Sequence, residues 1–397
     1  MPGPIPPEFI TILKRALSHW QQRSQNLDDA GIIDLDPERG ELYESVIIGL
    51  ALPQTCQLAA DVALQTFYLA ERRGYWPEWV ELFEKALNQC HALEHEGKGH
   101  LLNRLGELYR HMTRLDAAVA VHKQAESLAQ ERNNDLALAE ARYRLCWDYV
   151  ETRQYDEAEA CGQFALETFT RLGVREDLVT NCYWALGSIA RRRGHLAIAQ
   201  EQLSHAADLA RTTQQPTHRA RIVNELAKAM EEDKRFDEAL AFYDKAAQLL
   251  AATASGRDRV QVQLNRGIVF YQQQKWLAAQ LAWRQALNST YLRQSGEIFL
   301  HALLAHNLGN VLLKDSDLLE AEAQFSYARQ LRMELQDNLG LANTTGGLAE
   351  VNAKQGKQDE AIALFEEALR LLVAYPNDAL AQRLRSHFET QLQALRA

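Results

Sequence analysis

The chain has 397 residues, 47% of them apolar, with 43 Lys and Arg against 53 Asp and Glu for a formal charge of −10. That balance argues against non-specific nucleic-acid binding by the whole molecule, and no apolar run approaches the ~20 residues that a bilayer-crossing helix needs. Period-2 runs rich in Val, Ile and Thr do not occur, so the chain reads as all-α.

Met1 is followed by Pro-Gly-Pro-Ile-Pro-Pro, not by a basic region and an apolar one, so no signal peptide is expected and the protein reads as cytoplasmic. Residues 8–22 place Phe9, Leu13, Ala16, Leu17 and Trp20 on one helical face. Residues 26–40 read as an acidic, turn-rich link. Asp36-Pro37-Glu38 then supplies an N-cap and a Pro at the first helical position, for a helix through about Leu52. Val46, Ile47, Ile48, Leu50, Ala51 and Leu52 make this helix apolar nearly all round. That predicts burial against its neighbours, or a docking surface for another domain or chain. Residues 1–56 together form an N-terminal capping or docking unit.

Residues 57–376 carry a pattern that returns about every 40 residues. A small residue is followed four later by a middle, usually bulky one and seven later by Ala: Ala118/His122/Ala125, Ala158/Gly162/Ala165, Ala199/Leu203/Ala206, Ala239/Tyr243/Ala246, Ala279/Trp283/Ala286, Ala321/Phe325/Ala328 and Ala361/Phe365/Ala368. Trp79/Phe83/Ala86 is an earlier copy without the first Ala. Twelve residues before most of these Ala positions sits Gly106, Cys146, Gly187, Ala227, Gly267, Gly309 or Ala349. Polar turns such as Arg193-Gly194-His195 and Asp233-Lys234-Arg235 separate the two halves. Self-similarity at this period marks stacked antiparallel helix pairs, in which small residues let helices approach and large ones fill the space. A last helix, within 377–397, has Asn377 or Asp378 as its cap and Leu380, Leu384, Phe388 and Leu392 on one face, which suits an end cap.

The segments Gly106-Glu107-Leu108-Tyr109, Tyr155-Asp156-Glu157-Ala158, Phe236-Asp237-Glu238-Ala239-Leu240 and Asp359-Glu360-Ala361 resemble the signature of the tetratricopeptide repeat. The likeness covers roughly residues 57 to 373 in eight copies. The longer period is similar to the subclass found in kinesin light chains, Pins-type adaptors and bacterial STAND signalling proteins. The resemblance implies a right-handed α-solenoid of about eight hairpins with capping helices at both ends, and an interaction surface in place of a catalytic pocket.

Chemical motifs are sparse. Glu96-Gly97-Lys98-Gly99 lacks the first Gly and the Ser/Thr of a P-loop. His91 and His95 share a helical spacing, with His100 beyond, but they do not form an HExxH arrangement and read as surface histidines. Asp34-x-Asp36-x-Glu38 lacks the glycine and downstream Glu of a calcium loop. The five cysteines are odd in number and share no CxxC spacing, so they read as small core or surface residues in a reducing compartment. No catalytic residues, metal site or cofactor are expected.

In the resembled family, positions 2, 5, 9, 12 and 13 of each first helix line a concave groove. Counting from the Gly/Ala landmark as position 8 gives Asn103, Glu107, Arg110 and His111 in repeat two, and Tyr143 and Trp147 in repeat three. Repeat four offers Asn181, Trp184, Arg191 and Arg192, and repeat five Arg221, Asn224, Lys228, Glu231 and Glu232. Tyr271 follows in repeat six, then His306, Asn310 and Lys314 in repeat seven. Trp, Tyr and Arg dominate binding hot spots, Arg takes a carboxylate bidentately, and Asn pairs with an extended backbone. The same Trp147 and Trp184 would also serve as packing between neighbouring first helices. The chaperone-tail type of carboxylate clamp is absent, because Asn307 and Asn310 both fall in repeat seven and His306 stands where Lys is needed. The sequence thus points to a non-catalytic module that binds a protein or peptide, an acidic or C-terminal segment being the best match. The alternative is a ligand- or peptide-sensing regulatory solenoid of a bacterial STAND-type system that controls an effector.

Overall fold

The computed structural model describes residues 5–396 apart from 26, 91, 92, 94, 174, 175, 213 and 214. His91 and the side chain of His95 therefore lie outside the described residues. Every regular element among the described residues is helical, and none of these helices is long and apolar enough to cross a membrane. The chain divides into two compact units, Met1–Asp258 and Arg259–Ala397.

The first unit opens with α1 (Pro7–Arg23), α2 (Asp29–Leu35) and α3 (Arg39–Leu50). Leu13, Leu17 and Trp20 of α1 are buried as expected, but Phe9 is 42% exposed, because the packed stripe begins one turn later. Helix α2 replaces the expected turn-rich link. Asp28 caps it by accepting from the Gly31 N–H at 2.8 Å, and Ile32 and Leu35 anchor it by burial. The Asp36-Pro37-Glu38 signal forms only one 3-10 turn, and α3 begins after it. Helix α3 buries Leu42, Val46 and Leu50 against α1 and the helices that follow, leaving Ile48 exposed.

The first repeat has a broken leading helix, α4 (Cys56–Gln65) and α5 (Phe67–Arg73), followed by α6 (Trp76–Gln89). The break falls at Thr66, whose hydroxyl donates to the Val62 carbonyl at 2.8 Å while accepting from the Trp79 indole N–H at 3.2 Å. Such back-bonding competes with the helix ladder. Four hairpins follow: α7 (His95–His111) with α8 (Leu115–Glu131), α9 (Asp135–Glu151) with α10 (Tyr155–Leu172), α11 (Glu176–Arg192) with α12 (Leu196–Leu209), and α13 (Pro216–Glu232) with α14 (Phe236–Leu250). Helix α15 (Gly256–Gln272) carries the chain into the second unit, where it pairs with α16 (Trp276–Leu287). A short α17 (Thr290–Gln294), not foreseen in the repeat pattern, precedes α18 (Ile298–Asp315) and α19 (Leu318–Glu334). Helices α20 (Asn338–Lys354) and α21 (Gln358–Leu372) make the eighth repeat. The final α22 (Ala379–Arg396) is capped by Asp378, whose carboxylate accepts from the Leu380 and Ala381 N–H groups. It covers the last pair with Ala381, Phe388 and Leu392.

The repeat landmarks are explained by size exchange across each hairpin. The bulky middle residue of the second helix lies on the small landmark of the first, so a Cβ on Gly106 or Gly267 would overlap the His122 or Trp283 ring. Repeat three reverses the sizes, with Gly162 facing Cys146. Each first helix then ends in one residue with left-handed backbone: Gly74, Thr113, Arg153, Gly194, Lys234, Gln274, Ser316 or Gly356. The next N–H reaches back five residues, as Arg235 does to the Met230 carbonyl at 2.9 Å, satisfying a helix-end carbonyl and reversing the chain.

One expectation about cysteine is corrected. Cys56 and Cys90, at the start of α4 and just after α6, form a disulfide with Cα atoms 5.5 Å apart, leaving Cys146, Cys161 and Cys182 free. An odd count and the absence of CxxC spacing conceal a pair that meets only when the hairpin closes.

Candidate functional site

The first helices α7, α9, α11 and α13 stand side by side, and their facing positions bring three aromatic rings into a row. Trp147 meets Trp184 with ring centroids 4.9 Å apart, and Trp184 meets His218 edge-on at 5.7 Å. Trp184 Nε1, His218 Nε2 and the Asn181 Oδ1 are all buried without a hydrogen-bond partner among the described residues. Burial, reinforced by Arg221, pushes the His218 imidazole down to about 4, so the ring is neutral near pH 7. Tyr143 is held protonated by burial.

Most of the charged candidates already have partners within the chain. Arg191 pairs with Glu225 at 3.3 Å and with Glu232, and Arg192 pairs with Glu151 at 2.9 Å. Lys228 also takes Glu225, at 2.7 Å. Burial alone would raise the Glu225 pKa, but Lys228 and Arg191 hold it at about 2. Glu107 serves both Arg104, at 2.8 Å, and Arg144. Asn103 and Asn224 are buried, and the Asn103 carbonyl accepts from His122 at 3.1 Å.

His111 and Arg221 belong to a contact that the repeat pattern did not foretell. Arg221 donates to both Asp258 oxygens at 2.9–3.0 Å and to Glu71 at 2.6 Å, 150 residues away in sequence. Beside Glu71, Arg72 pairs with Asp29 at 2.7 Å, and Asp29 also accepts from the Ala254 N–H at 2.7 Å. His111 stacks on Trp76 at 5.2 Å and 18°, and the Arg257 guanidinium lies 5.8 Å from the centre of that indole. Burial opposes ionisation of Glu71, yet Arg221 and Arg72 keep its pKa below the usual range. Burial and then Arg257 hold His111 neutral. The first unit is therefore closed on itself, α2 and α5 meeting α13 and the start of α15.

In the second unit His306 is buried among hydrogen bonds, not open to a groove. Its Nδ1 lies 3.1 Å from the Thr344 hydroxyl, and its Nε2 faces the amides of Asn310 at 3.0 Å and Asn343 at 3.3 Å. His306 and Asn310 thus form a separate cluster from the first-unit residues. Counting positions missed Trp76, Glu71 and His218, and also Arg104 and Arg144. The last two recur at the same register 40 residues apart, a signal that was present in the sequence.

Residues 300–372 match the tetratricopeptide repeat family model. The fold is an all-helical solenoid of tetratricopeptide-type hairpins. No curated protein matches the chain's sequence. Among solved structures, this chain is similar to a Rap protein complexed with competence and sporulation factor, at 13% identity and a TM-score of 0.58 over 91% of this chain and 98% of that one. The apo quorum sensor NprR from B. thuringiensis matches at 13% identity and 0.55, over 91% and 99%. A STAND protein with a tetratricopeptide repeat sensor, from Pyrococcus horikoshii, matches at 12% and 0.60 over 85% of this chain, which spans about half (52%) of that protein. At these identities the likeness is one of fold.

Proposed function

We propose that this solenoid is a non-catalytic interaction module whose inner groove, across repeats two to five, receives a peptide or protein segment. The observation that carries the reading is the Trp147–Trp184–His218 row, with a buried indole N–H, an imidazole nitrogen and an amide oxygen left without partners. Buried polar groups are normally satisfied, and a run of them beside aromatic rings suits an extended backbone passing over the rings. An acidic or C-terminal segment fits the guanidinium-rich wall next to this row. Neither a membrane nor a nucleic acid is the expected partner. Arg191, Arg192 and Lys228 act in this reading as supports that hold neighbouring first helices in register, since their charges are already matched.

Selection of a displayed random-peptide library on the wild-type protein tests the reading. A consensus ligand should emerge, and Trp184→Ala or Trp147→Ala should weaken it at least tenfold with helicity unchanged. Ligands that bind both variants as tightly as wild type would refute it. A second reading, a sensor whose shape answers to its ligand, is favoured by the contact that closes the first unit. It predicts a change in small-angle scattering on saturation with the selected peptide, and an unchanged profile would set it aside.

A further inference from the structure

We propose that the wall formed by α7 and α9 is a receptor for a doubly anionic group on a peptide, with Arg104, Arg110 and Arg144 as the groups that hold it. The proposal rests on the groove reading above and specifies which end of the groove takes charge.

A count of charge in that wall carries the proposal. Arg104 and Arg144 share one carboxylate, that of Glu107. Arg110 approaches Asp148 Oδ1 at 3.9 Å, beyond hydrogen-bond distance, while the other oxygen, Oδ2, lies 2.5 Å from Nδ1 of His122. On the other side His122 Nε2 faces the Asn103 carbonyl at 3.1 Å. A carbonyl only accepts, so the one proton of a neutral imidazole is used there. A further proton must lie between His122 and Asp148. Whichever atom carries it, the pair sums to zero, and Arg110 is left without a matching charge. Along α7 and α9 three guanidinium groups are thus set against one effective carboxylate, an excess of two positive charges in the count.

These side chains are mostly buried, at 25%, 19% and 14% exposure for Arg104, Arg110 and Arg144. Arg110 Nη1 and Arg144 Nε are buried without acceptors. Burial, with Arg104 adding to it, pushes the Arg144 guanidinium down to about 9. The closing contact a few residues away is balanced by comparison: Glu71, Asp29 and Asp258 face Arg72, Arg221 and Arg257. An uncompensated pair of buried charges is costly unless a counter-ion arrives. Guanidinium forks match carboxylate or phosphoryl oxygens. Trp147 lies three residues beyond Arg144, on the same helix face, so a chain anchored at the arginines would run onto the aromatic row. Two peptide groups supply such a dianion: an acidic residue at a free C-terminus, or a phosphorylated side chain.

Four probes separate the possibilities: acetyl-Ala-Leu-Leu-Glu with a free C-terminus, its C-terminal amide, acetyl-Ala-Leu-Leu-Gln-amide, and acetyl-Ala-Leu-Leu-phosphoserine-amide. Each is titrated into protein carrying ¹⁵N in arginine and tryptophan side chains. At least one dianionic probe should shift the Arg104, Arg110 and Arg144 signals saturably and bind tenfold or more tighter than the singly charged amide. Arg144→Gln or Arg110→Gln should erase that preference, whereas Arg284→Gln, in the second unit, should not. Preference for the free acid identifies terminal carboxylates, and preference for phosphoserine a phosphoryl group. Indole shifts with all four probes, without a charge preference or arginine shifts, would overturn the anion receptor and leave the groove standing. No shift of either kind would overturn both. The wild-type series decides the matter even if a variant fails to fold.

Discussion

His306 shows what a single buried residue contributes. Its Nδ1–H donates to the Thr344 hydroxyl while Nε2 accepts from Asn310, so the hydrogen-bonded state is the neutral ring. Burial, and then Arg332, pushes its pKa down to about 4. The unfolded chain therefore binds this proton more readily than the folded one. Stability from this source is intact above the unfolded value near 6.5 and is lost as pH falls towards 4, at about 1.4 kcal/mol per pH unit. His306→Gln, which keeps a donor and an acceptor but cannot titrate, should flatten the denaturant-derived stability curve between pH 6.5 and 4 by about one proton. An unchanged slope would mean that the ring is charged in the fold. The same residue marks where sequence reasoning stops. Counting positions placed His306 and Asn310 correctly on a first helix, but the count cannot distinguish a side chain open to a groove from one bonded to the next repeat. Arg191 and Arg192 are similar: their carboxylate partners lie 34 to 41 residues away, one repeat on for Arg191 and one repeat back for Arg192.

The hairpin is the element that the sequence made legible, because size exchange and turn chemistry recur in every copy. The turns read from the sequence, Arg193-Gly194-His195 and Asp233-Lys234-Arg235, end their first helices, and the glycine landmarks face the bulky residues as their volumes require. The misreadings of the helices fall before the first repeat and inside it, where the pattern is weakest. Helix α2 is only seven residues long, too short for periodicity to register, and depends on its Asp28 cap. The break between α4 and α5 arises from Thr66, whose side chain finds both a local carbonyl and a distant indole. The turns also yield a prediction. Lys234 holds a left-handed backbone with φ 60° and is exposed, with no ion pair among the described residues. A residue with a Cβ pays for that conformation and Gly does not. Lys234→Gly should therefore stabilise the protein by about 0.5–1 kcal/mol in urea unfolding. A loss of stability instead would show that the Lys234 stem, and not the backbone, sets the turn.

At the scale of the first unit, the contact linking Asp29, Glu71 and Arg72 to Arg221, Ala254 and Asp258 spans up to 225 residues of sequence. A solenoid normally holds together through neighbouring repeats alone, so its stability is nearly a sum along the stack. Here α2 and α5 add a tie that bypasses four hairpins, and repeat counting has no means of anticipating it. Glu71 side-chain exposure is 5%, so removing its charge strands part of the Arg221 guanidinium inside. Losing one member of such a buried pair costs about 3–5 kcal/mol. Glu71→Gln should approach that range if Asp258 does not compensate, and fall well short of it if Asp258 does. The Glu71→Gln/Arg221→Gln double variant distinguishes tie from bystander. A real tie gives a coupling well above the ~0.5 kcal/mol expected of independent sites. It should also speed hydrogen exchange in both α2 and residues 251–255, which have no other reason to respond together. Additive effects, with exchange altered only near the substituted residue, would return this unit to the ordinary repeat-by-repeat stack. Coupled effects would mean that the first helices of repeats two to five, where the groove is proposed, are held in place by a contact outside them, so that a ligand requiring them to spread must first break the Glu71–Arg221 pair.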